Sequence, residues 1–210
     1  MIKHLLFDLD NTLYSAKYGL EKKVSERLER FISELLNISH EESEQTHRDL
    51  IQKKGYGTTL EWLLTEKGFT DIETYYAAIN PEDEADSLSA DPELGNFLAS
   101  IPLPKAILSN SCRIHIDRIL NKLGIAGNFE YIFDIRLNNY RGKPHRDAFL
   151  RAMEAMNARP ETTLFIDDYP EYLAGFSKIG GQCLLLDESD RHAGLSFNRI
   201  RNLRELERFL

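Results

Sequence analysis

The chain has 210 residues, 42% of them hydrophobic and 29% charged, an ordinary mixture for a globular protein. That length makes one medium domain, or a domain with a smaller insert, whose core needs neither disulfides nor a structural metal. The formal net charge of −8 argues against non-specific binding to nucleic acid or an anionic membrane. An anionic substrate has to meet local positive charge in its site.

The first predicted element is a strand at Leu5-Leu6-Phe7, ending in Asp8-Leu9-Asp10 and breaking at Asn11-Thr12. Residues i and i+2 of a strand share a face, so both acids stand together at the strand's carboxyl edge. Open α/β sheets bind ligands at that edge. Paired carboxylates there suit a hard divalent cation, or a nucleophile with a proton donor beside it. The same residues also make an ordinary polar strand end and turn.

From there to Ala78 the pattern is helical. Val24, Leu28, Phe31, Ile32, Leu35 and Leu36 trace one apolar stripe, and residues 41–53, 58–67 and 71–78 read as shorter, more polar helices. This predicts a helical subdomain over residues 16–90, inserted into a core made of residues 1–15 and 91–210. Asn80-Pro81 and the acidic run Glu82 to Asp86 lead back to the core, and the run reads as a solvated loop.

Four apolar runs then predict buried strands: residues 105–109, 131–135, 163–167 and 182–186. Helical spacing lies between them, over 114–123 before Gly124, over 148–156 after Pro144, and over 170–178 before Gly180-Gly181. A closing helix is expected over 202–210. Strand and helix in alternation predict an α/β fold, a doubly wound parallel sheet with helices on both faces.

Three further signals fall at strand ends or helix starts. Ser109-Asn110-Ser111 offers a hydroxyl, an amide and backbone N–H groups as a phosphate cradle, and equally as a helix cap. Gly142-Lys143-Pro144 places an ammonium near a helix start, where it neutralises a phosphate or the nucleophile, or simply lies on the surface. Asp167-Asp168 closes a buried strand at a cost that a bound cation would offset; one of the two also serves to cap the next helix. His145 reads as a solvated helix start. Cys112 and Cys183 form no redox or zinc spacing, Cys183 reading as a buried inert thiol and Cys112 as a thiol near the active edge. The apolar N-terminal run is too short for a signal peptide or membrane span, so a cytoplasmic protein is expected.

With Asp8 and Asp10, Ser109, Lys143, and Asp167 with Asp168 in that order, the chain resembles the haloacid dehalogenase-like phosphohydrolases over essentially its whole length. The resemblance implies a Rossmann-like core and an α-helical cap of the family's first type. The ending Asp10-Asn11-Thr12-Leu13-Tyr14 is similar to that of the pyrimidine 5′-nucleotidase-like subgroup.

The resemblance also implies a two-step phosphoryl transfer. Asp8 is the expected nucleophile, Asp10 the acid and base, and Ser109, Lys143 and Asn110 the phosphate clamp. Mg²⁺ is the expected cofactor, held by Asp8, the Asp10 carbonyl and Asp167, with Asp168 in support. Asp10 favours phosphate chemistry, because the haloalkanoate dehalogenases of this superfamily lack a second acid there. The expected substrate is a small phosphorylated metabolite such as a pyrimidine nucleoside 5′-monophosphate. A sugar phosphate, phosphoglycolate, a mutase reaction and a non-catalytic scaffold stand as alternatives. No nucleic acid polymer or membrane partner is expected, and the protein is expected to be a monomer or homodimer. Tyr14, Tyr18, Tyr56, Trp62, Tyr75 and Tyr76 offer stacking surface for a base or pack the cap's own core. Lys53 and Lys54 reach an anionic substrate or solvent. Tyr172 and Phe176 depart from the family's usual residues behind the last motif, which puts the packing there in question.

Overall fold

Six strands share one parallel sheet: β1 (His4–Phe7), β2 (Lys105–Leu108), β3 (Tyr131–Phe133), β4 (Thr163–Asp167), β5 (Gln182–Leu186) and β6 (Asn198–Ile200). Their order across the sheet is β3-β2-β1-β4-β5-β6, so β1 is central, paired with β2 through Phe7 and Ile107 and with β4 through Phe7 and Ile166. The structure is a computed structural model that describes residues 1–52 and 55–210. Lys53 and Lys54 lie outside the described residues. Among those described, no helix is long and apolar enough to cross a membrane.

Both faces of the sheet are covered. Leu5, Phe7, Ile107 and Ile166 pack with α5 (Pro92–Ser100) and α6 (Arg113–Leu123), while Leu6, Leu108 and Phe165 pack with α7 (Arg146–Ala155) and α8 (Pro170–Ser177). Alternate residues of one strand thus enter opposite cores, as a period of two requires. The doubly wound parallel architecture is as expected.

Between β1 and β2 lie α1 (Leu20–Leu36), α2 (His40–Gln52), α3 (Thr59–Glu66) and α4 (Ile72–Ile79). The α1 stripe buries Leu28 and Ile32 against Leu60, Leu63, Tyr75 and Ile79, while Leu35 stays exposed. Cys112 and Ile135 of the sheet domain join this cluster, so the insert is seated on the sheet's carboxyl edge. Side chains start the helices where the chain supplies them: Thr58 caps α3, Asp71 caps α4, and Asp91 followed by Pro92 opens α5. Gly124, in the left-handed region at φ 74°, ends α6.

The structure departs from the sequence expectations in several places. β2 stops at Leu108 and β3 at Phe133, one and two residues short, although the Ser109 N–H still donates to Phe133 O at 3.0 Å. β6 and α5 were not anticipated. The closing helix is a 3₁₀ segment, Leu203–Phe209. Pro144 precedes α7 rather than opening it, because His145 occupies the cap position.

Candidate active site

Asp8 follows the last residue of β1, and its backbone N–H still donates to Ile166 O at 2.9 Å, so the strand geometry carries through to the carboxylate. Lys143 reaches it from the loop before α7. Its Nζ donates to Asp8 Oδ1 at 2.6 Å and to Asp167 Oδ2 at 2.7 Å. The ammonium is fully buried and sits 4.7 Å from the ring centre of Tyr172 and 5.3 Å from that of Phe165. Burial opposes its charge, but Asp167 and Asp8 raise its pKa above the ordinary lysine value. Burial pushes both carboxyls up, and Lys143 pulls them back only in part.

The reason is the local charge count. Asp8, Asp167 and Asp168 bring carboxylate oxygens within 4.8 Å of one another, around a single ammonium. Burial, and then the neighbouring Asp167, hold Asp168 up at about 8. Three oxygen ligands short of positive charge fit a hard divalent cation. Asp8, Asp167 and Asp168 are the residues that would hold such a cation. Asp167 also accepts the Tyr169 N–H at 2.8 Å, so it is the acid that caps the turn into α8, and Asp168 makes no cap bond to that helix.

Asn110 is committed to Lys143. Its Oδ1 accepts the Lys143 N–H at 2.8 Å, and its Nδ2 donates to Lys143 O at 2.9 Å and to the Tyr172 hydroxyl at 3.2 Å. The expected phosphate ligand therefore positions the lysine's backbone, although it borders the cavity. Gly142 makes room for this clamp: a Cβ there would lie 2.0 Å from Asn110 Oδ1. Ser109 Oγ accepts the Ser111 N–H at 3.0 Å, which closes a turn and does not cap α6, whose N-cap is Cys112 with no side-chain bond; Ser109 also lines the cavity. The two departures behind the last motif have a structural account. Tyr172 backs Lys143, and Phe176 completes a buried aromatic cluster with Phe149 and Phe165.

Asp10 stands apart from the acidic trio of Asp8, Asp167 and Asp168 and is held by three donors. Oδ1 accepts from the Tyr14 hydroxyl at 2.5 Å and meets His115 Nε2 at 2.8 Å, while Oδ2 accepts from the Ser111 hydroxyl at 2.8 Å. Burial opposes its charge, yet these partners hold its pKa down at about 2. The other ring nitrogen of His115, Nδ1, lies 2.9 Å from Glu84 Oε2. With a carboxylate at each nitrogen, the ring is an imidazolium. Burial disfavours that charge, but Asp10 and Glu84 lift the pKa to about 10.

Neither His115 nor Glu84 was singled out in the sequence, and Glu84 is a correction. It is buried, whereas its acidic run reads as a solvated loop. The DNTLY residues act locally: Asn11, at φ 57°, donates its amide to Glu21 at the start of α1, and Tyr14 donates to Asp10. His145 pairs with Glu61 Oε2 at 3.2 Å rather than standing free at the helix start. Cys112 is buried, and burial raises its pKa; burial also pushes Cys183 up to about 12, so neither is an activated thiol.

A cavity of about 270 Å³ opens above these groups. The sheet edge contributes Asp8, Asp10, Ser109 and Asp168, and the insert contributes Val24, Leu28, Thr59, Tyr75, Tyr76 and Ile79. Among the described residues, no lysine or arginine lines it.

A family model, haloacid dehalogenase-like hydrolase, matches residues 2–180. The chain belongs to the haloacid dehalogenase-like hydrolases. This hydrolase is 26% identical over 182 residues to the glyceraldehyde 3-phosphate phosphatase of Methanocaldococcus jannaschii, a match covering 80% of this chain and 77% of that protein. Its fold is similar to the HAD phosphatase from Thermococcus onnurineus, with a TM-score of 0.66 and 18% identity over 99% of this chain and 97% of that one. It is also similar to the L-2-haloacid dehalogenase from Xanthobacter autotrophicus, with a TM-score of 0.63 and 17% identity over 100% and 98% of the two chains. At such identities these likenesses concern the fold alone.

Proposed function

We propose that this hydrolase is a Mg²⁺-dependent phosphomonoesterase that cleaves a small phosphate ester of an uncharged alcohol, through a phosphoryl group carried on Asp8. One observation carries the reading. Asp8, fixed by Lys143, is accompanied by a second carboxylate two residues on, which is held out of the metal-binding trio by its own donors. A reaction that expels halide needs no such acid; one that expels an alkoxide does. The curated relative with phosphatase activity points the same way.

In the first half-reaction an Asp8 oxygen bonds to phosphorus as the ester P–O bond breaks, and Asp10, which must first take up a proton because its donors hold it ionised, passes that proton to the departing oxygen. In the second, water attacks phosphorus, Asp10 takes its proton, and the Asp8–phosphorus bond breaks. Lys143 holds the Asp8 oxygen in place and offsets charge in both steps, while the Ser109 hydroxyl faces the phosphate's position. Bound Mg²⁺ would supply charge stabilisation at the phosphate oxygens.

The helical insert acts as the cap, and its surface supports the substrate class. Val24, Leu28, Ile79 and two tyrosines, with Thr59, suit a neutral leaving group of sugar or polyol size. Phosphoglycolate and a bisphosphorylated mutase intermediate both carry a second anionic group, and among the described residues the lining offers it no lysine or arginine, while the His115 imidazolium is already held between Asp10 and Glu84. A nucleoside monophosphate is the second reading, favoured by Tyr75 and Tyr76 at the cavity wall. The other candidate rings do not border it: Trp62 is buried in the insert's core, and Tyr18 is exposed.

The test is Mg²⁺-dependent phosphate release from sugar and polyol phosphates, nucleoside monophosphates and phosphoglycolate, with Asp8→Asn alongside. Turnover of the neutral-alcohol esters, lost in the variant, is expected. Preference for phosphoglycolate, or turnover surviving in Asp8→Asn, contradicts the reading.

A further inference from the structure

His115, in the first turn of α6, is buried with both ring nitrogens engaged, Nε2 on Asp10 and Nδ1 on Glu84. Glu84 is itself enclosed by donors. Asn80 Nδ2 donates to its Oε2 at 2.8 Å, and Arg118 Nη1 donates to its Oε1 at 3.0 Å and to Asn80 O at 2.8 Å. Asn80 ends α4, the last helix of the insert, and borders the cavity. A continuous chain of short polar contacts therefore runs from the insert's return segment to one oxygen of Asp10.

Such a chain is not an economical way to fill buried space, because apolar side chains of similar volume pack there without desolvating charge. Its end point is the informative feature. A carboxylate at a strand edge rotates freely unless several donors fix it. Acid–base transfer, in turn, requires the group within hydrogen-bond reach of the proton's destination. Ser111 and Tyr14 come from the sheet edge and the first motif's own loop; His115 is the donor tied to the insert.

We propose that His115, anchored by Glu84, is the positioning residue that sets the Asp10 carboxylate for proton transfer to and from the substrate. The role rests on the phosphatase reading and deepens it, coupling the seating of the cap to the acid–base group. His115 is a positioning residue because it acts through Asp10.

The test compares two esters at saturating Mg²⁺. p-Nitrophenyl phosphate releases a phenolate that leaves without a proton, whereas glycerol phosphate releases an alkoxide that needs one. For each, kcat/KM reports the steps up to phosphorylation of Asp8. In His115→Gln, kcat/KM for glycerol phosphate is expected to fall about 100-fold, the usual contribution of a placed acid. For p-nitrophenyl phosphate it should stay within about threefold, because the acid contributes little there. Glu84→Gln should show the same selectivity with a smaller loss, and it carries the comparison should His115→Gln not melt cooperatively. The Mg²⁺ concentration for half-maximal rate should not move in either variant. Equal losses on both esters mean a merely structural role and overturn the proposal, as does no loss on either. Wild-type protein inactive on both esters overturns the phosphatase reading itself, an outcome distinct from an active wild type with unselective variants.

Discussion

Lys143 Nζ bridges Asp8 Oδ1 and Asp167 Oδ2 at 2.6 and 2.7 Å with its side chain wholly inaccessible, so the proposed nucleophile and a proposed metal ligand share one buried counter-charge. Removing one partner of such a cluster strands the others. Lys143→Met is expected to lower stability by about 3–5 kcal/mol, the usual cost of an uncompensated buried charge. It should also cut turnover by about 10²–10³, as for loss of one preorganised donor. Thermal melts and phosphate release check both; a variant as stable and active as wild type would contradict the bridge's role.

The clamp behind that lysine gives a sharper test, because the substituted residue touches no substrate. Gly142→Ala places a methyl 2.0 Å from Asn110 Oδ1 and 2.7 Å from Ile135 Cδ1. Asn110 must move, releasing both backbone bonds to Lys143. Activity is expected to fall about 100-fold from misplacement alone, with the lysine still present. Unchanged kcat would show that Lys143 holds its place without Asn110.

Much of this architecture is written in short stretches of chain. Leu5-Leu6-Phe7 and Leu164-Phe165-Ile166 announce buried strands because both of their faces are covered, leaving no polar alternation. The motif acids were legible because they end those strands. β6 was not: only Ile200 of its three residues is buried, so no apolar run marks it. α5 was missed although Asp91-Pro92 is a helix start, since Gly95 interrupts its apolar pattern. His115 and Glu84 were beyond local reading because their partners are distant in sequence, 105 positions separating His115 from Asp10 and 31 from Glu84. A charged run such as 82–86 looks solvated until a histidine and an arginine one helical turn apart, His115 and Arg118, are brought over it.

The acidic trio makes stability depend on pH and metal together. Asp168 has its pKa raised to about 8 by burial and then by Asp167, so the folded state binds this proton more tightly than the unfolded chain does. Its contribution to stability is full below the unfolded value of about 3.9 and is lost as pH rises towards 8. Mg²⁺ competes with protons for the same oxygens, so it should raise the melting temperature more at about pH 8 than at about pH 5.5. Equal metal-induced shifts at both values would contradict a carboxylate site.

Glu61 fastens the insert to the sheet domain. It is buried, accepts the Gly57 N–H at 2.9 Å, and faces His145 Nε2 and Arg141 Nε at 3.2 Å each. Glu61→Ala leaves these donors unpaired and should destabilise by about 1–3 kcal/mol. Seating of α3, which carries Thr59 and Leu60 at the cavity, should loosen as well. A raised KM with kcat less affected is the expected kinetic signature. A fall in kcat with unchanged KM would place the effect on chemistry instead.

Asp8 is the proposed carrier of the phosphoryl group. Rapid acid quenching during turnover of an active ester, followed by peptide mass analysis, measures this directly. One phosphoryl group on the peptide containing Asp8 is expected, appearing within the first turnover and absent from Asp8→Asn. Full turnover with no phosphorylated peptide, or with the group on another residue, would contradict the account.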